Sequence, residues 1–147
     1  MPRILRNPSN VNTPIQVQQQ VCAELIAQAR LPSHLECCGL LAGRDGVITH
    51  VFPAQNVSGE PANGYEIDPK ETVRMMRDFR AAGLEFLGIY HSHPRSDNAP
   101  SPRDIELAYY SEEAYFIISP QPDAPKAVRA FRIRDGQVVE IEIQIVP

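Results

Sequence analysis

Leu84-Glu85-Phe86-Leu87-Gly88-Ile89-Tyr90-His91-Ser92-His93-Pro94 is the stretch that decides the fold. Leu84 to Tyr90 is almost continuously apolar and too short for a buried helix, so it reads as a strand covered on both faces. Upstream, Asp68-Pro69-Lys70-Glu71 offers a capping residue, a proline for the first turn and an acidic third position. Val73, Met76, Phe79 and Ala82 then give an apolar face, and Gly83 a stop, which predicts a helix over 69–82. Downstream, 95–100 is a loop, Ser101-Pro102-Arg103-Asp104 opens a helix to about Tyr110, and Ala114 to Ser119 reads as a strand. Helices on either side of a buried strand place the chain in the α/β class, with a mixed central β-sheet flanked by helices.

The remaining segments extend this pattern. Thr13-Pro14-Ile15-Gln16 repeats the cap-plus-proline signal, and Val17, Val21, Leu25 and Ala29 recur every fourth position, predicting a helix that ends near Arg30. Residues 1–12 carry little periodicity and read as a loose arm or a short edge strand. Cys37 to Ala42 and Val47 to Phe52, separated by Gly43-Arg44-Asp45-Gly46, read as a hairpin with Glu36 at its entrance. The connection 53–67 is rich in Pro, Asn and Gly and long enough to line a substrate groove. Val128 to Arg134 and Val138 to Val146 form a closing antiparallel hairpin around Asp135-Gly136. Placing Phe131 and Ile133 on the same apolar face as the second strand calls for an odd-length connection or a bulge, with Arg132 directed toward Glu140.

With 147 residues and no repeat or compositional break, the chain reads as one domain over 1–147. A net charge of -4 argues against a broad basic surface, so nucleic acid is not expected as a partner. No apolar run is long enough to span a bilayer, and the N-terminal segment lacks the apolar centre of a signal peptide. The expected location is the cytoplasm, without membrane association. Three cysteines, two of them the neighbours Cys37 and Cys38, suit reduced core residues rather than a disulfide framework.

His91 and His93 lie two apart on extended backbone, so both imidazoles leave one face and can converge on one ion. Asp104 comes eleven positions after His93, on the first turn of the next helix, and a strand-loop-helix return can bring its carboxylate back to the strand end. Two histidines and one carboxylate, with a fourth position for water, form a typical catalytic zinc set. Glu36 precedes an apolar strand, where a carboxylate facing such a water would act as its general base. Each residue also has an ordinary reading. The histidines can be locally hydrogen-bonded, Asp104 can pair with Ser101 in a capping box, and Glu36 can face solvent at a strand start. Cys37 and Cys38 read as core residues, and His34 and His50 lack ligand spacing. Tyr65, Asn56 and Tyr90 are as well explained by packing or loop hydrogen bonds as by substrate contact.

Taken together, Glu36, His91-Ser92-His93-Pro94, Ser101 after seven intervening residues, and Asp104 three further on resemble the JAMM, or MPN-plus, metalloprotease signature. The resemblance runs from about residue 15 to 120. It implies the JAMM/MPN, cytidine-deaminase-like architecture and one zinc ion per chain held by His91, His93 and Asp104. It further implies Glu36 as the base for an attacking water and Ser101 as a hydroxyl donor to the tetrahedral oxyanion. The reaction implied is hydrolysis of a peptide or isopeptide bond, and the implied partner is a ubiquitin-like sulfur-carrier protein with a diglycine C-terminus. Two alternatives are a noncatalytic MPN-type interaction scaffold and a zinc amidohydrolase acting on a small molecule. All five chemical positions are present, against the first, and the H-x-E and P-C-x-x-C deaminase signature is absent, against that form of the second.

Overall fold

The computed structural model describes residues 12–31 and 34–147, so the expected N-terminal arm lies outside the described residues except for Asn12. The chain runs β1 (Ile15–Gln18), α1 (Gln19–Arg30), β2 (Cys38–Arg44), β3 (Val47–Ala54), α2 (Pro69–Ala82) and β4 (Glu85–Ser92). It continues through α3 (Pro102–Glu106), β5 (Ala114–Ile118), β6 (Val128–Arg134), β7 (Gln137–Ile141) and β8 (Ile143–Val146). The eight strands form one mixed sheet in the order β7-β6-β5-β4-β2-β3-β1-β8. Only Glu142 separates β7 from β8, although they occupy opposite ends of that order, so the sheet curls until its ends meet.

Period-two alternation gives each strand a side chain for each of two cores. Against one face packs α1, through Val21, Leu25 and Ala29, with Leu41, Tyr90, Phe116 and Ile141. On the other face lies α2, whose Met75 and Phe79 meet Leu40, Ile89, Ile117 and Phe131. Asp68 caps α2 by accepting the Lys70 N–H, and Gly83 ends it in the left-handed region at φ 70°. The buried face of α2 centres on Met75 and Phe79, whereas Val73 is 52% exposed.

Several sequence expectations are corrected. Ile15–Gln18 is a strand rather than the first turn of α1, and Thr13 does not cap that helix, whose N-cap is Gln18. Ile15-Gln16-Val17-Gln18 alternates apolar and polar, and β1 pairs in parallel with both β3 and β8, hydrogen bonds that an additional helical turn would forgo. Val17 continues the fourfold spacing only because the strand feeds directly into the helix. The helix after Ser101 is also shorter than expected and ends at Glu106.

The closing hairpin needs neither a bulge nor an odd-length loop. Asp135 and Gly136, at φ 49° and 77°, make a two-residue turn that pairs Ile133 with Val138 and Phe131 with Glu140. The apolar residues of the two strands serve different cores: Phe131 and Ile133 face α2, while Val139 and Ile141 pack on the α1 side. Glu140 binds Arg129 through two hydrogen bonds, of 3.0 and 2.8 Å, whereas Arg132 opposes Val139 and donates to the Glu112 carbonyl.

A bulge in β4 decides which core each of its later side chains faces. Leu41 pairs with Gly88 but Ala42 with Phe86, which leaves Leu87 as an extra residue. The alternation therefore resets: Leu87 and Tyr90 face the α1 core, while Phe86 and Ile89 face α2. His91, two beyond Ile89, inherits the α2 face at the C-terminal end of β4.

A second irregularity falls at Gly43, between β2 and β3. A Cβ there would stand 1.7 Å from the Val47 carbonyl oxygen and 2.9 Å from the Ile48 Cα, both backbone atoms. Gly43→Ala is expected to destabilise the fold by at least about 2 kcal/mol, the scale of overpacking in a closed core. Urea denaturation midpoints would measure this, and a variant as stable as the parent would contradict the close approach.

Candidate metal centre

Three ligand-type side chains converge where β4 leaves the sheet. His91 is the penultimate residue of β4, 1% exposed, and pairs with Cys38 on β2 and Ile117 on β5. His93 lies just past the strand and prolongs its ladder by donating its N–H to the Ile118 carbonyl. Asp104 sits at the third position of α3, which carries the crossover from β4 to the parallel strand β5. Outside the carboxyl end of such a strand, where a connection departs, is where open α/β sheets commonly bind ligands.

The geometry is tight. His91 Nε2 and His93 Nε2 are 3.2 Å apart, and Asp104 Oδ2 lies 3.2 Å from the first and 3.0 Å from the second. Tetrahedral zinc with bonds of about 2.0 to 2.1 Å would separate its ligands by about 3.3 Å, so the triangle matches one face of that polyhedron. Protonation makes the fit more specific. His93 Nδ1 lies 2.7 Å from the Asp97 carbonyl, which can only accept, so Nδ1 carries the proton. In the neutral ring, Nε2 then presents a lone pair to two other electron-rich atoms, an arrangement a cation satisfies. His91, His93 and Asp104 form the cluster of potential metal ligands found among the described residues, and Glu36 is not part of it.

The titration behaviour has its causes in the same contacts. Burial lowers the pKa of His91, against the opposing pull of the Asp104 carboxylate. For His93 burial also acts downward, but Asp104 and the Asp97 carbonyl outweigh it and the pKa rises. Burial opposes ionisation of Asp104, yet the hydrogen bonds from the two imidazoles hold it well below the usual carboxylate range. The same contacts thus move the two imidazoles in opposite directions.

Surrounding residues fix each member. Ser101 Oγ accepts the Asp104 N–H at 3.0 Å, while Asp104 Oδ2 accepts the Ser101 N–H at 2.9 Å, a complete capping box. The same carboxylate oxygen thus caps the helix and faces the histidines, so the capping box leaves Asp104 within the cluster. Asn98, buried at 3% exposure, directs its amide to the carbonyls of Ile117, Lys126 and Ala127 and so anchors the loop that carries the Asp97 carbonyl. The Tyr65 ring stacks on His91, with centroids 4.4 Å apart and planes 19° from parallel.

Glu36 lies just ahead of β2, 7% exposed, and its Oε1 is buried without a hydrogen-bond partner among the described residues. Burial pushes its carboxyl up to about 7, with His93 pulling it back and Asp104 adding to the rise. A carboxyl in that range beside a cluster of potential metal ligands is suited to proton transfer. The main chain beside it is joined to the histidine strand: the Cys37 N–H donates to Ser92 Oγ at 2.9 Å, and the Ser92 N–H to the Cys37 carbonyl at 3.0 Å. Burial raises the thiol pKa values of Cys37 and Cys38, the latter to about 12, which keeps both protonated and unreactive. His50 pairs with Thr49 away from the cluster, and the Tyr90 hydroxyl bonds to Gln28 on α1, a packing role. Sequence reasoning sets Tyr65 and Asn56 aside and does not single out Asp97, Asn98 or Ser92 for a site role. Their contributions pass through ring stacking, backbone carbonyls and loop closure, which leave no spacing signature.

Comparison with known proteins shows the family of the chain. The family model of prokaryotic homologs of the JAB domain matches residues 18–134. A desampylase of Haloferax volcanii is 44% identical over 87 residues, which are 58% of this chain and 63% of that protein, so the match spans just under two thirds of the relative. The CysO-cysteine peptidase of Mycobacterium tuberculosis is 31% identical over 125 residues, covering 83% and 84% of the two chains. A solved protein of Desulfitobacterium hafniense superposes with a TM-score of 0.79 at 34% identity, over 90% of this chain and 92% of that one. The chain belongs to the prokaryotic homologs of the JAB domain, small members of the JAMM/MPN-plus family.

Proposed function

We propose that this protein is a zinc-dependent peptidase in which His91, His93 and Asp104 hold the metal, Glu36 moves the proton and Ser101 supports the oxyanion. The observation that carries this reading is the triangle of two imidazole nitrogens and a carboxylate oxygen, with the His93 tautomer set by Asp97, close to a buried, unpartnered carboxyl. Zinc in that position supplies Lewis acidity, which polarises a carbonyl and acidifies a water.

The residues of the chain account for the other requirements. Glu36 in its ionised form accepts the proton of the attacking water and returns it to the departing amine, as its raised pKa allows. The Ser101 oxygen already accepts the Asp104 N–H, which leaves the hydroxyl proton free to donate toward the oxyanion. Beside Asp104 runs a groove of 490 Å³ lined by Gly64, Tyr65, Ile67, Arg103, Leu107 and Tyr110, among others. Such a groove suits an extended, small-residue segment. We infer that the bond cleaved lies just beyond the diglycine tail of a ubiquitin-like sulfur-carrier protein, in keeping with relatives named desampylase and CysO-cysteine peptidase. No helix among the described residues is long and apolar enough to cross a membrane, which is compatible with a cytoplasmic carrier as substrate.

Zinc analysis and hydrolysis of a carrier fusion ending in Gly-Gly plus a reporter peptide test this reading. The parent should bind about one zinc per chain. Glu36→Gln should keep the metal and lose about 10²- to 10⁴-fold in kcat, whereas Asp104→Ala should lose both. Ser101→Ala should cost about 10²- to 10³-fold in kcat if the hydroxyl meets the oxyanion. Asn98→Ala, remote from the reacting atoms, should weaken zinc binding about 10- to 100-fold in competition with a chromogenic chelator. Unchanged hydrolysis by Glu36→Gln would sink the mechanism, and unchanged zinc affinity in Asn98→Ala would remove the outer support assigned to Asp97.

A further inference from the structure

Glu36 stands outside every strand, and its main chain is held from one direction. Its N–H donates to the Pro61 carbonyl at 2.8 Å, and its carbonyl accepts from Asn56 Nδ2 at 3.0 Å. Both partners belong to the connection between β3 and α2. That connection contains no helix or strand and is organised around one side chain. Asn56 Nδ2 donates to the Gly64 carbonyl at 3.0 Å as well as to Glu36, while Oδ1 accepts the N–H groups of Ser58 and Glu66 at 3.0 and 3.1 Å. All four hydrogen-bonding capacities of the carboxamide are used. Tyr65, which stacks on His91, lies between the two residues that Asn56 grips.

We propose that Asn56 is a positioning residue of the active site, one side chain that sets both the placement of Glu36 and the seat of Tyr65 over the ligand His91. The proposal rests on the reading of Glu36 as the proton acceptor. Main-chain strands fix the histidines and a capping box fixes Asp104; beyond Cys37, which is tied to Ser92, the main chain of Glu36 itself is held by the loop, and Asn56 is the side chain that reaches it. Proton transfer depends steeply on distance, and a displacement of about 1 Å can cost about 100-fold in rate. Loss of the Nδ2 donor frees the Glu36 carbonyl while leaving the metal ligands in place.

Asn56→Asp preserves shape and both acceptor contacts, to Ser58 and Glu66, while removing the donor to the Glu36 and Gly64 carbonyls. It is compared with Asn56→Ala and Glu36→Gln, all zinc-loaded, on the Gly-Gly carrier fusion, with kcat read at the alkaline plateau so that the added charge does not register as a loss. In parallel, amide exchange is monitored in the metal-free proteins. The expected result for Asn56→Asp is a kcat lowered at least about tenfold, KM within about twofold of the parent and unchanged zinc content. Exchange of the Glu36 amide should also be at least about tenfold faster. A kcat equal to the parent's overturns the proposal, as does a loss matched by a rise in KM or a loss of zinc, the pattern of general loosening. If Asn56→Ala fails to fold, Asn56→Asp decides alone. Full activity in Glu36→Gln sinks the base assignment itself, whereas an inactive Glu36→Gln beside fully active Asn56 variants sinks only the role of Asn56.

Discussion

Three electron-rich atoms held within 3.2 Å of one another, away from water, are a liability to a folded chain unless a positive charge lies among them. Much of the structure around β4 serves to maintain that arrangement. The extra residue at Leu87 turns His91 to the α2 face, the Asp97 carbonyl settles which nitrogen of His93 is bare, and the helix start at Ser101 presents the Asp104 oxygen. Each device uses ordinary secondary-structure hydrogen bonding. Their sum is a cluster in which a positive charge, proton or cation, relieves the repulsion among the three atoms.

Asp104 illustrates how two chemical demands share one residue. A helix of five residues contributes little stability of its own, so its start must be held by a cap. The capping box ties Ser101 and Asp104 in a reciprocal pair, and that pair orients the carboxylate toward the histidines. Local helix chemistry and ligand placement are therefore the same interaction. The spacing of Ser and Asp in the sequence reflects the geometry of a helix N-terminus.

Local signals give a faithful account of the sheet's centre. The apolar run through Tyr90 and the capped start of α2 describe interactions between near neighbours, and they appear where the residue pattern puts them, whereas the first hairpin turn is confined to Asp45-Gly46 because β2 runs through Arg44. The illegible parts depend on distant partners. Ile15–Gln18 becomes a strand because β3 and β8 flank it, and Val17 disguises the boundary by extending the helix spacing. Residue pattern alone misaligns the closing strands because their apolar residues serve two different cores, and Glu140 binds Arg129 rather than Arg132. At the site, the spacing of His91, His93 and Asp104 anticipates their meeting. The supports from Asn98, Asn56 and the Asp97 carbonyl do not show, since a loop's hydrogen bonds to main-chain groups leave no pattern in residue types.

The single residue between β7 and β8 has a consequence for how the molecule assembles. Ile15 pairs with Ile143 and Gln18 with Val146, so β1 finds one of its two neighbours 128 residues further along the chain. Closing so long a loop costs entropy before any contact repays it, which favours slow folding for such topologies. During synthesis, β1 leaves the ribosome with its β8 side unpaired, and that edge stays open until β8 has been made. The curled sheet is thus sealed by β8, and until then β1 presents an open edge of the kind that invites pairing with other chains.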